Sequence, residues 1–277
     1  MDKRIGFIGT GYMARALARG FFKTTPLKTQ SIAKEQLLGC DVNPEAAQKF
    51  VDQTGGARVD TIKDLVSGSD IVFIAVKPQQ IGEVLRAIGS IRAHGFNPLW
   101  ITVAAGVPLR VYLKEIGNTA RLVRVMPNTP CRVGEGVSGF CVSEGVQPGD
   151  IELATELLET VGIAIQFPER QLDAVAGVSG SGPAYVYMMI EAMADGGVKM
   201  GLSREQSIQL ATQTVLGAAK VLQQTREHPG VLKDNVCSPR GTTINAVHAL
   251  EQSGFRASLI SAVEAATLRS REMGAEM

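Results

Sequence analysis

Short apolar runs alternate with stretches of helical period through the first part of the chain. Arg4–Ile8, Leu37–Asp41, Asp70–Val76, Leu99–Val103 and Ala120–Met126 have the length and side chains of strands. Between them, Tyr12–Lys23, Pro44–Gln53 and the stretch from Pro78 to Ile91 read as helices. Two of these open on proline, whose missing N–H is no loss in a first turn. Such alternation predicts βαβ units, which build a parallel sheet covered on both faces. Gly136–Val142 and Ile163–Phe167 are expected as further strands at its edge.

The pattern changes near Phe167–Glu169. From about Gln171 onward no strand-like run occurs, and Pro183–Met200, Arg204–Gln224, Thr242–Gln252 and Arg256–Met273 all read as helices. The change predicts two domains, residues 1–168 and 169–277. The last helix carries Leu259, Ile260, Val263 and Thr267 at helical spacing among many small residues. A helical domain of this size has little core of its own, so these helices are expected to pair two copies of the chain.

Composition narrows the function. The chain has 277 residues, 45% hydrophobic and 20% charged, with a net charge of +1. A nucleic-acid or anionic-membrane partner calls for a basic face, so neither is expected. The longest uncharged run, Ala174–Ile190, is broken by Gly and Pro and is shorter than a membrane span. No signal peptide is expected after Met1-Asp2-Lys3-Arg4. Cys40, Cys131, Cys141 and Cys237 have no C-x-x-C spacing, and His94, His228 and His248 form no ligand pattern with them. They read as reduced thiols of a cytoplasmic protein, with no metal site.

Gly9-Thr10-Gly11-Tyr12-Met13-Ala14 is a G-x-G-x-x-A turn that follows the first strand and opens the first helix. That context makes it a dinucleotide-binding fingerprint and the first domain Rossmann-type. Gly9 permits the tight turn, Gly11 lets backbone N–H groups approach a pyrophosphate, and the positive helix end holds the phosphates. Asp41 ends the second strand about 30 residues after Gly11, where an acid often holds the adenosine ribose and repels a 2′-phosphate. The polar stretch Thr24–Glu35 reads as an inserted loop that explains the long spacing. Asn43 lies close enough to exchange roles with Asp41, so NADPH and NADH both stay open. Ala75-Val76-Lys77-Pro78, Ala104-Ala105-Gly106 and Met126-Pro127-Asn128-Thr129-Pro130 each follow a strand, at the end where such sheets bind ligands. Two later segments, Gly177–Tyr185 and Asp234–Thr243, are rich in Ser, Gly and Thr and open helices. Such a start is a ready carboxylate cradle.

Taken in order, Gly9–Ala14, Ala75–Gln79, Met126–Pro130, Gly180–Tyr185 and Ser238–Thr243 resemble the pyrroline-5-carboxylate reductase family over nearly the whole chain. The resemblance implies a C-terminal helical domain that intertwines two subunits, with dimers assembling into a decamer. It implies hydride transfer from NADPH or NADH to the cyclic imine, giving proline, the last step of proline biosynthesis. Residue by residue, it places Ala75, Val76, Lys77 and Pro78 along the cofactor, Ala104 and Gly106 beside the nicotinamide, and Asn235, from the partner subunit, within reach of the cofactor. Glu169, Ser238, Gly241, Thr242 and Thr243 fall on the imine substrate, with Thr243 on its nitrogen. One position departs from the family: Arg240 stands where the pattern usually has Gly, and only Gly takes a positive φ cheaply. A β-hydroxyacid dehydrogenase is the nearest alternative, but Val186 falls where its proton-transferring lysine belongs. A non-catalytic dinucleotide-binding protein would have no need of the Gly241–Thr243 segment.

Overall fold

The computed structural model describes residues 3–22, 33–91 and 95–277. Residues 24–32 of the polar insertion, Lys23 and His94 lie outside the described residues. The first stretch runs β1 (Ile5–Ile8), α1 (Tyr12–Gly20), β2 (Leu37–Cys40), α2 (Pro44–Thr54), β3 (Ala57–Arg58), α3 (Ile62–Ser67) and β4 (Ile71–Ile74). It continues with α4 (Ile81–Ile91), β5 (Leu99–Thr102), α5 (Leu109–Ile116), β6 (Leu122–Met126), β7 (Gly136–Val142), α6 (Pro148–Glu159) and β8 (Gly162–Gln166). Helices follow: α7 (Leu172–Val175), α8 (Gly182–Lys199), α9 (Arg204–Thr225), α10 (Pro229–Val236), α11 (Thr242–Gln252) and α12 (Phe255–Ala275). The predicted elements are present with ends shifted by a few residues. β3, α3, α5, α6, α7 and α10 are additional.

The strands form one sheet in the order β3-β2-β1-β4-β5-β6-β7-β8. The first six run parallel in the doubly wound order. The two edge strands expected from the sequence join with a change of direction: β7 is antiparallel to β6, and β8 runs parallel to β7. Side-chain alternation divides the core into two faces. Ile5 and Phe7 of β1 lie with α1, α2 and α6, where Phe7 stacks on Phe73 at 4.8 Å between ring centres. Ile8 of β1 and Val72, Ile74 and Trp100 lie on the other face against Leu65, Leu85, Ile88 and Tyr112 of α3, α4 and α5. Local capping sets the helix starts. Asn43 accepts the N–H of Glu45 ahead of Pro44, and Ser203 and Gln206 form a reciprocal capping box on α9.

Contacts divide the chain into two compact units. One runs to Gly180 and takes in Ala265–Met277; the other is Ser181–Glu264. In the first, residues 176–180 form a π-helical turn that continues α7. The reading of Gly177–Tyr185 as a segment that opens a helix is therefore corrected, because the chain is already helical ahead of α8. Asn128 brackets this turn, donating to Ser179 O at 3.1 Å and accepting from Val137 N at 2.9 Å. The end of α12 belongs to the same unit: Ser270 Oγ donates to Asp173 Oδ1 at 2.7 Å and Arg110 Nη2 to Gly274 O at 2.9 Å. The second unit consists of α8 to α11 and the first part of α12, and Tyr185 Oη donates to Ala262 O within it.

The core thiols and Tyr112 make the first unit sensitive to alkali. Burial pushes Cys40, Cys131 and Tyr112 up, and burial followed by the Glu169 carboxylate pushes Cys141 up to about 12. Below the unfolded thiol value of 9.0 both states keep these protons and nothing is lost. Above it only the unfolded chain releases them, so stability falls as pH rises. The urea midpoint should be level between about pH 7 and 8 and decline steadily above about pH 9. A midpoint unchanged at about pH 10 would contradict this placement of the thiols.

Candidate functional site

The carboxyl ends of β1, β2 and β4 stop at one level, with Ile8 paired to Cys40 and to Ile74. The chain must turn sharply there. Gly9 takes φ +85, and its N–H donates to Cys40 O at 2.8 Å. A Cβ on Gly9 would lie 2.7 Å from Val76 Cγ1, so the turn is closed to larger residues. Gly11 is the opposite case, with open space above it. It caps α1 with no side-chain hydrogen bond, so the first N–H groups of the helix face outward.

A cleft of about 440 Å³ lies over this turn. Gly9, Gly11, Asp41, Asn43, Ala75, Val76 and Lys77 line it, as the sequence placed them. Ile62, Gln80 and Glu83 line it as well. They were missed because α3 was missed and because Gln80 and Glu83 carry no motif. Thr10 is fully buried and does not face the cleft. Its N–H and hydroxyl both donate to Asp41 Oδ2, at 2.7 and 3.0 Å, while Asn43 N donates to Asp41 Oδ1 at 2.9 Å. Asp41 thus holds the glycine turn closed from the next strand. Met13, in the first turn of α1, is partly buried against the first core face. Tyr12 is half exposed, with the Arg132 guanidinium 5.8 Å from its ring centre.

Other predicted residues lie elsewhere. Ala104 is buried in the second core face, and Gly106, at φ +76, sits against Met273 of α12. Pro78 opens a short 3₁₀ turn ahead of α4. Glu169 Oε1 accepts from Arg124 Nη1 at 2.8 Å and from Leu109 N at 2.7 Å. It therefore joins β6 to the start of α5, and its partner Arg124 is a buried cation that sequence reasoning passed over. In the second unit, Asn235 sits in the last turn of α10, not in a loop. Ser238-Pro239-Arg240-Gly241 turns into α11, with Arg240 at φ 61. A Cβ on Gly241 would meet Ser238 Oγ, so a larger residue there would have to displace the serine hydroxyl. Gly241 caps α11 with no side-chain hydrogen bond, leaving the N–H groups at Thr242 and Thr243 free for a ligand. His228 accepts the N–H of Gly230 and caps α10.

A glycine turn of this kind, at the carboxyl edge of a doubly wound sheet, places the chain among the dinucleotide-binding proteins. It is 43% identical to a pyrroline-5-carboxylate reductase of Methanosarcina acetivorans, across 99% of this chain and 98% of that one. The chain belongs to the pyrroline-5-carboxylate reductase family. The profile described as pyrroline-5-carboxylate reductase dimerisation matches residues 169–273, and that of coenzyme F420-dependent NADP oxidoreductases matches residues 4–105. A reductase from Arabidopsis thaliana is 42% identical over 98% of this chain and 95% of its own. Among solved structures, the Plasmodium falciparum pyrroline carboxylate reductase, determined with NADP bound, superposes with a TM-score of 0.86 at 33% identity over 98% of both chains. That of Coxiella burnetii superposes with 0.88 at 32% identity over 99% of both. Among the described residues no helix is long and apolar enough to cross a membrane.

The Arg124–Glu169 pair can be weighed directly. Arg124 is almost fully buried, whereas the Glu169 side chain is 37% exposed and can turn to water when its partner is lost. Arg124→Met should therefore cost about 1–3 kcal/mol, less than a fully buried pair. Glu169→Gln in the same background should add little. A denaturation double-mutant cycle measures the coupling, and strictly additive losses would show that the pair contributes nothing.

Proposed function

We propose that the cleft over the glycine turn holds NAD(P)H and that the chain reduces 1-pyrroline-5-carboxylate to proline, closing proline biosynthesis. The observation that carries this reading is the outward-facing start of α1 beneath an open glycine, in a chain of this family. The fit is physical: Gly11 leaves room for a pyrophosphate, and uncapped N–H groups favour negative charge. Gly9, Thr10, Gly11, Tyr12 and Met13 would supply the phosphate turn, and Asp41 and Asn43 the ribose end. Ala75, Val76, Lys77 and Pro78 would line the middle, and Ala104 and Gly106 would shape the nicotinamide end. Asn235 would also reach the cofactor. When bound, the dinucleotide supplies the hydride.

The substrate reading rests on α11. Its N–H groups suit a carboxylate, with Ser238, Gly241 and Thr242 around it, and the Thr243 hydroxyl suits the ring nitrogen. Glu169 would act near the substrate through its hold on Arg124 and the start of α5. An imine nitrogen takes its own proton from water near neutrality, so no side-chain acid has to supply one. The chain's contribution is then orientation and exclusion of water. The helices of residues 169–277 would pair two subunits, and dimers would assemble into a decamer in the cytoplasm. The placing of that domain is supported by the start of the dimerisation profile at residue 169.

Mixing purified protein with reduced nicotinamide cofactor and the imine tests the reading. Absorbance should fall with the imine and stay level with 2- or 3-hydroxyacids and oxidised cofactor. Thr243→Ala should lower kcat/KM for the imine by roughly ten- to hundred-fold, with cofactor binding nearly unchanged. An unchanged rate removes Thr243 from the reaction.

A further inference from the structure

We propose that the β2 corner of the cleft accepts the 2′-hydroxyl form of the cofactor and rejects the 2′-phosphate, so that NADH is favoured over NADPH. This rests on the reading of the cleft as the dinucleotide site. In such sheets the adenosine ribose lies at the end of the second strand, and a nearby arginine is what accommodates a 2′-phosphate. Here that corner is lined by Cys40, Asp41, Val42, Asn43, Ala46 and Ile62, with no cation among the described residues. Lys77, the cleft's cation among the described residues, follows β4, on the far side of β1 from β2.

Asp41 cannot swing away from an incoming phosphate. Its two oxygens accept from Thr10 N, Thr10 Oγ1 and Asn43 N at 2.7, 3.0 and 2.9 Å. Rotating the carboxylate out would break the bonds that hold the glycine turn. A carboxylate offers about four acceptor sites. Three are engaged, and the remaining one suits a single donor such as a ribose hydroxyl. A phosphate brings no donor and two negative charges at neutral pH.

The wider surroundings have the same sign. Arg58 of β3 lies 3.1 Å from Asp60 Oδ1 in a solvent-exposed pair. Asp64 is fixed at the start of α3 by Thr61, and Glu83 adds a further acid to the cleft lining. The Cys40 thiol reports this balance. Its pKa is raised first by burial, then by Asp41, Asp60 and Asp64, with only Arg58 opposing.

Val42 offers a clean intervention, because it is 93% exposed and packs on nothing. Binding of NADH and of NADPH to the purified protein is followed by nicotinamide fluorescence without imine, and kcat/KM is then measured with each. Wild type should bind NADH roughly tenfold or more tighter than NADPH, as one fixed like charge at contact distance implies. Val42→Arg should tighten NADPH about tenfold and leave NADH within about twofold. Val42→Gln, of similar length without the charge, should not reproduce the gain in NADPH binding. Equal or tighter NADPH binding by wild type overturns the proposal while leaving the dinucleotide site intact, as does an equal gain from Val42→Gln. Binding of neither cofactor overturns both the proposal and the reading of the cleft.

Discussion

Three strands must end at the same level for this cleft to exist. Ile8, Cys40 and Ile74 are paired across β2, β1 and β4, and the chain leaves each strand there in a different direction. That shared end lets Gly9 N reach Cys40 O, Ala75 N reach Ile8 O, and Asp41 reach Thr10. A slip of one residue in β2 would turn every side chain to the other face. It would move Leu37 from one core face to the other and carry the Asp41 carboxylate away from the turn. The core enforces the register from beneath, because Phe7 stacks on Phe73 and lies opposite Gly39, where the Phe50 ring fills the space a side chain would take.

The two units solve the burial problem differently. In the first, helices on both faces of the sheet exclude water from a continuous double core. In the second, only Ala194, Ser207 and Ala211 are fully buried, and Tyr187, Met188, Leu210, Val236 and Ile260 stand exposed. Helices of such length with so little core are stable only against further apolar surface. Residues 169–273 match the family's dimerisation profile, so the chain carries the element that makes these proteins homo-oligomers.

Long, strongly periodic segments were readable from the sequence, and short or conditional ones were not. α9 and α12 announce themselves over many turns, whereas α3 has six residues and β3 two. The direction of β7 was hidden for another reason: an apolar run carries no sign of which way its neighbour points. At the site, the Gly9–Ala14 turn was legible because its spacing is itself the mechanism. Asp41 was legible as a position but not as a chemical state, since its partner Thr10 is 31 residues away and looks like a filler between two glycines. Glu169 likewise takes its meaning from Arg124, a residue inside an apolar strand that no local pattern marks.

The titratable groups that usually advertise an enzyme are occupied with structure here. Thiols at 40, 131 and 141 are buried and protonated, His228 caps a helix, and Glu169 is bound to Arg124. Two helix starts carry no side-chain cap, the first turn of α1 under Gly11 and the first turn of α11 after Gly241. Helix starts bind anions through fixed dipoles that need no reorganisation and no pKa adjustment. A reaction whose substrate brings its own proton and whose cofactor brings the reducing equivalent asks for little more. The demand on the protein is then positional. At the glycine turn the backbone is held by the Thr10 bonds to Asp41, and ahead of α11 by the Gly241 N–H bond to Ser238 O.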